Sequence, residues 1–340
     1  MRQLKLTNII IFCGLLIFVQ HILAETTKAN EQYIVKNFIT RMAADYHFNK
    51  QKLETLFSKV HLDQHIIDKM NAPYEAKPWY IYKKHFLKKK RIQQGVIYWR
   101  QHQSILANIA KRTGVPPEYI IAIIGIESQY GKKQGHYPAF DTLYTLSFHY
   151  PRRALFFQNE LKEYLLLCRE QNWNPLLIEG SYAAALGQAQ FIPSSYRAYA
   201  KSYHGNNKIN LFDDDADIIA SIANYFYAYG WQRNRPIASK AIVISNKYQQ
   251  LPIQDRNSKI NKPNLTLAQL QKFGVQTSVR YPLNYKSTFM RFDLKNGKTY
   301  WLGYHNFYVI TRYNTSKLYA LAVYQLAMQI KKQYELHYHQ

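Results

Sequence analysis

Residues 115–131 read Val-Pro-Pro-Glu-Tyr-Ile-Ile-Ala-Ile-Ile-Gly-Ile-Glu-Ser-Gln-Tyr-Gly. Proline is favoured in the first turn of a helix and pushes the residue before it towards an extended conformation, so a helix is predicted to begin near Pro116 or Pro117. Gly131 is the predicted stop. Isoleucines stand three, four and seven residues before Glu127, so its carboxylate shares the most apolar face of the helix. That face is expected to be buried or to line a cleft.

Glu127 is the candidate catalytic residue because of this position. A carboxyl group half-removed from water favours its neutral form, which raises its pKa and lets it hold a proton for a leaving group. The alternative is a glutamate at a helix end that solvates itself or caps a neighbour. The helix alone does not distinguish the two, because structural networks also contain perturbed carboxylates.

The composition is strongly basic. The chain has 340 residues, with Lys+Arg 45 against Asp+Glu 21 and a formal net charge of +24. This length leaves room for two or more domains and a substantial core. A positive field of this size attracts polyanions, so the partner classes to distinguish are nucleic acid, anionic lipid and an anionic cell-wall polymer.

The N-terminus distinguishes among these partner classes. Residues 1–24 carry Arg2 and Lys5, then the apolar run Ile9–Val19, then Ala24 at a plausible cleavage position. This pattern predicts a secretory signal peptide. The alternative is an uncleaved anchor, although the apolar run is short for a membrane span. Export argues against DNA or RNA as a partner.

The two cysteines do not predict a disulfide or a lipid anchor. Cys13 lies inside the signal peptide, and Phe12 before it is not the small residue that a lipoprotein cleavage site requires. Cys168 is then left without an intrachain partner and lies in a helical pattern, which predicts a buried structural thiol. Stability is therefore expected to come from packing.

Two further segments carry candidate functional residues. Pro151-Arg152-Arg153 opens a predicted helix that runs to about Glu170, where the two arginines are placed to bind carboxylates or phosphates. They are equally well explained as solvated surface residues. Small residues crowd around Gln190-Phe191-Ile192-Pro193 in the segment 180–196, which lets backbone approach a ligand or a neighbouring element closely while Ser181 and Gln190 offer hydrogen bonds. A tight helix–helix contact is the alternative for that segment.

The motifs taken together resemble the membrane-bound lytic transglycosylase B family of bacterial cell-wall enzymes, glycoside hydrolase family 103. The matching residues are Gly-Ile-Glu-Ser at 125–128, Leu-Ser-Phe-His-Tyr-Pro-Arg-Arg at 146–153, Gly-Gln-Ala-Gln-Phe-Ile-Pro-Ser-Ser-Tyr at 187–196, Asn-Leu-Phe-Asp at 210–213, Ile-Ala-Asn-Tyr-Phe at 222–226 and Arg-Tyr-Asn at 312–314. They keep the order of the family from about Pro78 to the C-terminus.

The resemblance implies a mainly α, lysozyme-like catalytic core with additional N-terminal helices and a small β-containing lobe. It implies a carbon–oxygen lyase that cleaves the β-1,4 bond between N-acetylmuramic acid and N-acetylglucosamine of peptidoglycan. No water is added, and the product ends in 1,6-anhydromuramic acid. The single carboxylate of the family first protonates the glycosidic oxygen and then removes the proton of the muramyl 6-hydroxyl, whereas ordinary glycosidases use two carboxylates.

The resemblance also assigns roles to site residues. Glu127 takes the acid/base role, and Ser181 and Gln190 hydrogen-bond the sugar acetamides and hydroxyls. The residues implied to shape the cleft floor and line the groove are Phe191, Tyr82, Tyr225, Tyr313, Asn314 and Tyr319. Arg152 and Arg153 are implied to meet carboxylates of the peptide stems.

A calcium loop is also typical of the family, and here the sequence departs from it. An EF-hand-like loop needs oxygen ligands at positions one, three and five and a carboxylate at position twelve. Those positions hold Ser202, His204, Asn206 and Asp213, with Lys208 at the seventh. We therefore predict that calcium does not bind tightly, that the loop is held by its own hydrogen bonds, and that no cofactor is required.

The catalytic region is predicted to span residues 28–340. Its parts are an N-terminal helical part at about 28–110, a lysozyme-like core at 111–235, a small β-containing lobe at 236–311 and a C-terminal helix at 312–340. The lobe is predicted from short β-prone pieces such as Phe289–Phe292 and Tyr300–Leu302, which are alternatively loops packed on the core.

These observations predict an exported, periplasmic and monomeric lytic transglycosylase. Its predicted partner is the glycan strand of peptidoglycan, with other cell-wall synthesis or hydrolysis proteins as further candidates and no nucleic acid. One alternative is a hydrolytic muramidase, which needs a second carboxylate facing Glu127 to activate water. The other is a non-catalytic peptidoglycan-binding scaffold that kept the groove and lost turnover.

Overall fold

The computed structural model describes residues 29–72, 77–206, 208–255 and 260–338. The predicted signal peptide, residues 1–24, lies outside the described residues. Across those four ranges, no helix combines the length and the apolar character needed to cross a membrane.

The structure is mainly helical. The helices in chain order are α1 (29–46), α2 (Lys50–Phe57), α3 (Gln64–Asn71), α4 (Trp79–Phe86), α5 (Lys89–Gln101), α6 (Gln103–Thr113), α7 (Pro117–Glu127), α8 (Ala139–His149), α9 (Ala154–Gln171), α10 (Pro193–Tyr199), α11 (Asp215–Ala228), α12 (Leu267–Lys272), α13 (His305–Tyr313) and α14 (Lys317–Tyr338). The strands are β1 (Tyr137–Pro138), β2 (Glu179–Gly180), β3 (Ala238–Val243), β4 (Leu265–Thr266), β5 (Val275–Thr277), β6 (Lys286–Asp293) and β7 (Lys298–Gly303).

The chain divides into two compact units. The first contains the described residues up to Ile67 together with Phe140–Lys162, and the second contains those of Asp68–Ala139 and Glu163–Gln340. An aromatic cluster forms the centre of the first unit, with the ring of Phe57 5.9 Å from Phe38 and 5.2 Å from Phe140. These rings come from α1, α2 and α8, so they hold together helices that are distant in sequence.

Helix α7 is the core of the second unit. Every residue from Glu118 to Ile126 is buried, so the helix is surrounded on all faces rather than on one apolar stripe. A helix that is apolar all round is expected in the interior of a large domain. Helices α5 and α14 both pack against it, and the rings of Trp99 and Tyr334 stack 4.3 Å apart between these two neighbours.

A five-stranded antiparallel sheet forms the small lobe, in the order β4-β6-β7-β3-β5. Its centre is a hairpin in which Phe289 of β6 pairs with Leu302 of β7, and the hairpin turns where the backbone N–H of Leu294 bonds the carbonyl of Gly297. Phe289 faces the apolar core of the lobe, whereas Phe292 packs edge-on against Trp79 of α4 at 5.6 Å. The predicted mainly α fold with a small β-containing lobe is thereby confirmed, and the alternative that these pieces are loops is wrong.

Candidate active site

Glu127 is the last residue of α7, and its side chain is half-buried. The helix begins as predicted, with Pro116 as the N-cap and Pro117 at the first position. The nine residues between Pro117 and Glu127 are buried, which fixes the direction of the helix and therefore the position of its final carboxylate.

The chain leaves α7 through a tight turn that Ser128 holds. The Ser128 hydroxyl donates to the carbonyl of Ile124 at 3.2 Å and accepts the backbone N–H of Gly131 at 3.1 Å. Gln129, Tyr130 and Gly131 all have positive φ angles, so the predicted stop at Gly131 is part of a turn that begins directly after Glu127. Ser128 is fully buried and was not identified from the sequence as a site residue.

Tyr319 of α14 contacts Glu127 directly. Its hydroxyl donates a hydrogen bond to Oε1 of the carboxylate, and its side chain is only 3% exposed. Burial raises the pKa of Tyr319 well above its usual value, and the nearby Glu127 charge raises it further. The tyrosine is therefore a hydrogen-bond donor at neutral pH, and it holds one carboxylate oxygen in place.

Tyr313 extends this arrangement from the end of α13. Its ring lies nearly parallel to that of Tyr319, with centroids 6.5 Å apart and an interplanar angle of 9°. Its hydroxyl donates to the backbone carbonyl of Ala189. Burial and then the charge of Glu127 raise the pKa of Tyr313, so this hydroxyl also stays protonated.

Phe191 and Tyr225 pack behind Tyr313. The ring of Tyr313 is 5.7 Å from Phe191 and 4.9 Å from Tyr225, and the Tyr225 hydroxyl donates to the carbonyl of Arg312 at 2.6 Å. Phe191 and Tyr225 are almost completely buried, which leaves them little surface for a sugar. Their contact with a saccharide stays a prediction, while their packing positions the residues at the end of α13.

Within the segment 180–196, residues 180–191 form a tight loop, whereas Pro193–Tyr196 begin α10, which packs against α11. Single bridges join Gly180 to Leu186 and Leu186 to Phe191. Gly187 has φ +65°, and a Cβ at this position would lie 2.3 Å from the backbone carbonyl oxygen of Leu211. The small residues of this segment therefore permit a close backbone approach to a neighbouring loop, which is one of the two predicted possibilities.

Gln190 and Ser181 keep specific hydrogen-bonding capacity within this loop. The Gln190 side-chain amide donates to the carbonyls of Gln134 and Gly187 at 2.9 and 2.8 Å, which leaves its side-chain oxygen as an acceptor. The Ser181 hydroxyl oxygen accepts the N–H groups of Ala183 and Ala185 at 3.3 and 3.1 Å, which leaves its proton to be donated. Both side chains are half-buried. Gln134, which orients Gln190, was not identified from the sequence.

The remaining predicted site residues are Tyr82, Asn314, and the pair Arg152 and Arg153. Tyr82 of α4 is 1% exposed, lies against Trp79 and Phe86 and is close enough to Tyr319 to raise its pKa. Asn314 follows α13, and its side chain accepts the N–H of Ser316 at 3.0 Å.

Arg152 and Arg153 belong to the first compact unit, whereas Glu127 belongs to the second. They form an exposed 3-10 turn with Pro151. The Arg153 guanidinium lies 4.1 Å from the centre of the Phe156 ring. Their binding of carboxylates stays a prediction.

The residues of the implied calcium loop do not fit a calcium ion. The Ser202 hydroxyl donates to the side-chain oxygen of Asn206 at 2.7 Å, so these two positions bond each other. The two carboxylate oxygens of Asp217 accept the backbone N–H groups of Tyr203 and Asn210 at 2.7 and 3.0 Å and tie the loop together. Among the described residues no group of three or more His, Cys, Asp or Glu side chains is arranged to hold a metal. Whether calcium binds stays a prediction.

Comparison with known proteins places this geometry in a family. The family model described as "Transglycosylase SLT domain" matches residues 30–328. The membrane-bound lytic murein transglycosylase B of Escherichia coli K12 is 36% identical over 305 residues, which cover 87% of this chain and 82% of that protein.

Solved structures of lytic transglycosylases are also similar to this chain. The crystal structure of the soluble lytic transglycosylase SltB1 from Pseudomonas aeruginosa is similar with a TM-score of 0.80 and 41% identity, covering 88% of this chain and 98% of that one. The structure of SltB3 from Pseudomonas aeruginosa in complex with NAG-anhNAM-pentapeptide is similar with a TM-score of 0.74 and 29% identity, covering 88% and 79%. The chain therefore belongs to the transglycosylase SLT domain family and is an enzyme of the lytic murein transglycosylase class.

Proposed function

We propose that this chain cleaves the β-1,4 bond between N-acetylmuramic acid and N-acetylglucosamine of peptidoglycan without water, and that Glu127 is both its general acid and its general base. The observation that carries the assignment is the hydrogen bond from the buried Tyr319 to a carboxylate at the end of a fully buried helix. The complex of SltB3 with NAG-anhNAM-pentapeptide supports the substrate class, because that ligand contains an anhydro sugar and a peptide.

The proposed reaction uses one carboxyl group twice, first to donate a proton and then to accept a different one. Tyr319 holds Oε1 of Glu127, so the protonated carboxyl group is presented to the glycosidic oxygen in one orientation. Proton transfer to that oxygen breaks the bond to C1 of N-acetylmuramic acid and leaves a carboxylate. The carboxylate then accepts the proton of the muramyl 6-hydroxyl as O6 bonds C1, which returns Glu127 to its protonated form and gives the 1,6-anhydro product.

The polar residues around Glu127 would position the sugars. The Ser181 hydroxyl has a proton to donate and the Gln190 side chain has an oxygen to accept, which suits the C=O and N–H of an acetamide respectively. Tyr313 and Asn314, both half-buried at the end of α13, are proposed to border the saccharide. The residues that would pack behind this surface are Tyr82, Phe191 and Tyr225, since all three are buried.

The protein is proposed to act as a monomer in the periplasm. The signal-peptide pattern of residues 1–24 supports export, and the net charge of +24 supports retention on anionic wall or membrane surface. The Escherichia coli relative is named as membrane-bound. No metal or other cofactor enters the proposed reaction.

The test is the substitution Glu127→Gln, with Glu118→Gln as a matched control. Glu118 lies on the same helix, is also buried and is paired with Lys331 at 3.4 Å. Loss of a general acid/base is expected to lower turnover of purified peptidoglycan by roughly 10²- to 10⁴-fold, with binding of sacculi and the melting temperature unchanged. Glu118→Gln is expected to retain most of the turnover. Equal turnover by Glu127→Gln and the wild type would refute the assignment.

A further inference from the structure

A cationic cavity in the second compact unit lies apart from the residues of the catalytic site. It has a volume of about 450 Å³ and is lined by Arg235, Lys262 and Lys286 together with polar and aromatic side chains. Ligand pockets in proteins commonly have volumes in this range. The three cations are exposed, and within the part of the chain that the structure describes none of them forms a salt bridge with a carboxylate.

The wall that carries Arg235 is held in a fixed conformation. Asn306 accepts the backbone N–H of Gln232 at 2.9 Å and donates to the carbonyls of Gln232 and Arg235 at 2.7 and 3.4 Å. The Arg235 guanidinium hydrogen-bonds the Tyr285 hydroxyl and lies 5.3 Å from the centre of its ring. An arginine that is already oriented loses less conformational freedom when it binds a ligand.

The floor of the cavity is equally well ordered. Tyr304 is 2% exposed, its backbone N–H bonds the carbonyl of Ile237 at 2.8 Å, and its hydroxyl is 2.9 Å from that of Ser239. His305 donates from Nε2 to the carbonyl of Gly230 at 2.7 Å. The cavity is therefore lined by exposed cations together with aromatic side chains that are held by hydrogen bonds.

The cavity and the catalytic site lie at opposite ends of one helix. Helix α13 begins at His305, which lines the cavity, and ends at Tyr313, which packs against Tyr319. With a rise of 1.5 Å per residue, these two positions are separated by about 12 Å along the helix axis. An anionic side branch of a polymer bound at Glu127 must span this distance, in addition to that between Tyr313 and Glu127, to reach the cavity.

We propose that this cavity is a second binding site for peptidoglycan, which takes the carboxylates of a stem peptide attached to the strand being cleaved. The identity of the ligand rests on the proposed function. Arg235 offers a planar fork for bidentate carboxylate binding, while Lys262 and Lys286 add point charges. Binding at this site increases the affinity of the protein for peptidoglycan and leaves the chemistry at Glu127 unchanged.

The test compares two triple variants of the full-length mature chain. Arg235→Gln/Lys262→Gln/Lys286→Gln removes the cations of the cavity, and Lys50→Gln/Lys52→Gln/Lys59→Gln removes three charges from exposed positions on and just after α2. The cavity variant is expected to bind peptide-bearing sacculi roughly tenfold more weakly, because three charge contacts are lost, and the control is expected to bind within about twofold of the wild type. Equal losses in the two variants, or no loss in the cavity variant, would overturn the proposal.

Two further arms identify the ligand and separate this proposal from the proposed function. A fluorescent stem tripeptide, L-Ala-γ-D-Glu-diaminopimelate, is expected to bind the wild type in a polarisation assay. Its affinity is expected to be roughly tenfold lower for the cavity variant and within about twofold of the wild type for the control variant. Amidation of its carboxylates is expected to abolish binding, and competition by inorganic phosphate as effective as that by the unlabelled peptide would contradict the assignment to a peptide. Peptide-free glycan strands are expected to be cleaved equally by wild type and cavity variant. Failure of the wild type to cleave them would count against the proposed function alone.

Discussion

Replacing Lys317 by methionine is expected to change how the stability of the protein depends on pH. Lys317 is the first residue of α14 and is 1% exposed. Its ammonium group donates to the carbonyls of Gln254 and Arg291 at 2.5 and 2.7 Å and lies 5.0 Å from the centre of the Phe292 ring. It thereby ties strand β6 to the helix that carries Tyr319.

Burial lowers the pKa of Lys317 from 10.5 to about 7. Among the neighbouring charges, Asp255 and Asp293 oppose this shift and Arg291 adds to it, while Asp255 is itself paired with Arg291 at 2.8 Å. Between these two pKa values the unfolded chain binds a proton that the folded chain does not bind, so stability rises with pH in that window. Below about pH 7 both states bind the proton and the contribution no longer changes.

The expected size follows from the linkage relation. Between about pH 7 and pH 9 the wild type should gain about 2 kcal/mol of unfolding free energy relative to Lys317→Met, because each unit of pH contributes up to about 1.4 kcal/mol. Other groups titrate equally in both proteins and cancel in this difference. Methionine preserves the length of the side chain and removes the charge.

The assay is urea unfolding of both proteins at the two pH values, followed by circular dichroism. Lys332→Met serves as the control, since Lys332 is an exposed lysine on the same helix, and it should show no such difference. A difference near zero for Lys317→Met, or a wild type that loses stability relative to the variant as the pH rises, would refute the reasoning.

Three other substitutions or additions have defined outcomes. Tyr319→Phe removes the hydrogen bond to Glu127 and is expected to lower kcat roughly 10- to 100-fold with little change in KM. An unchanged kcat in steady-state kinetics on purified glycan strands would contradict this. Gly187→Ala is expected to lower the unfolding free energy by at least about 2 kcal/mol, because φ is +65° and the added Cβ would contact the backbone of Leu211. Gly297→Ala should lower it less, because no atom lies within 4 Å of the added Cβ, and urea denaturation of both variants measures the difference. Calcium is expected to shift the melting temperature by less than about 1 °C relative to a chelator, because the loop 202–213 lacks a suitable ligand set; a clear upward shift would contradict this.

The sequence predicted helix α7, which ends at Glu127, because its signals are local. Prolines at the start, a glycine-containing turn at the end and an apolar interior are all contained in residues 115–131. Periodicity did not reveal that α7 is buried on every face, because burial depends on the partners that tertiary structure supplies. Strands β6 and β7 were predicted with boundaries displaced by one to three residues, since β propensity reports a half-buried pleated surface and not a strand end. Strand β4 was not predicted.

The tyrosines could not be sorted from the sequence. The chain contains 30 of them, and only packing distinguishes Tyr319, which meets Glu127, from Tyr225, which supports α13 from behind. Gln134 and Ser128 were missed for different reasons. Gln134 contributes only a backbone carbonyl, which accepts from the Gln190 side chain and does not depend on the residue type, whereas the Ser128 hydroxyl bonds backbone groups of its own turn.

The cationic cavity was also invisible in the sequence. Arg235, Lys262 and Lys286 are separated by more than twenty residues each, and a chain with Lys+Arg 45 offers many such positions. Only the sheet, through β4 and β6, and the fixed loop before β3 bring them to one cavity.

The most direct test of the account is the origin of the oxygen in the product. Purified peptidoglycan is digested with the mature protein in H₂¹⁸O, and the released muropeptides are analysed by mass spectrometry. Attack by the muramyl 6-hydroxyl predicts products that contain no ¹⁸O and are about 20 mass units lighter than muropeptides hydrolysed in the same H₂¹⁸O, since no water is added. Products that carry ¹⁸O at a reducible muramic acid end would show that water is the nucleophile and would contradict the single-carboxylate mechanism of Glu127.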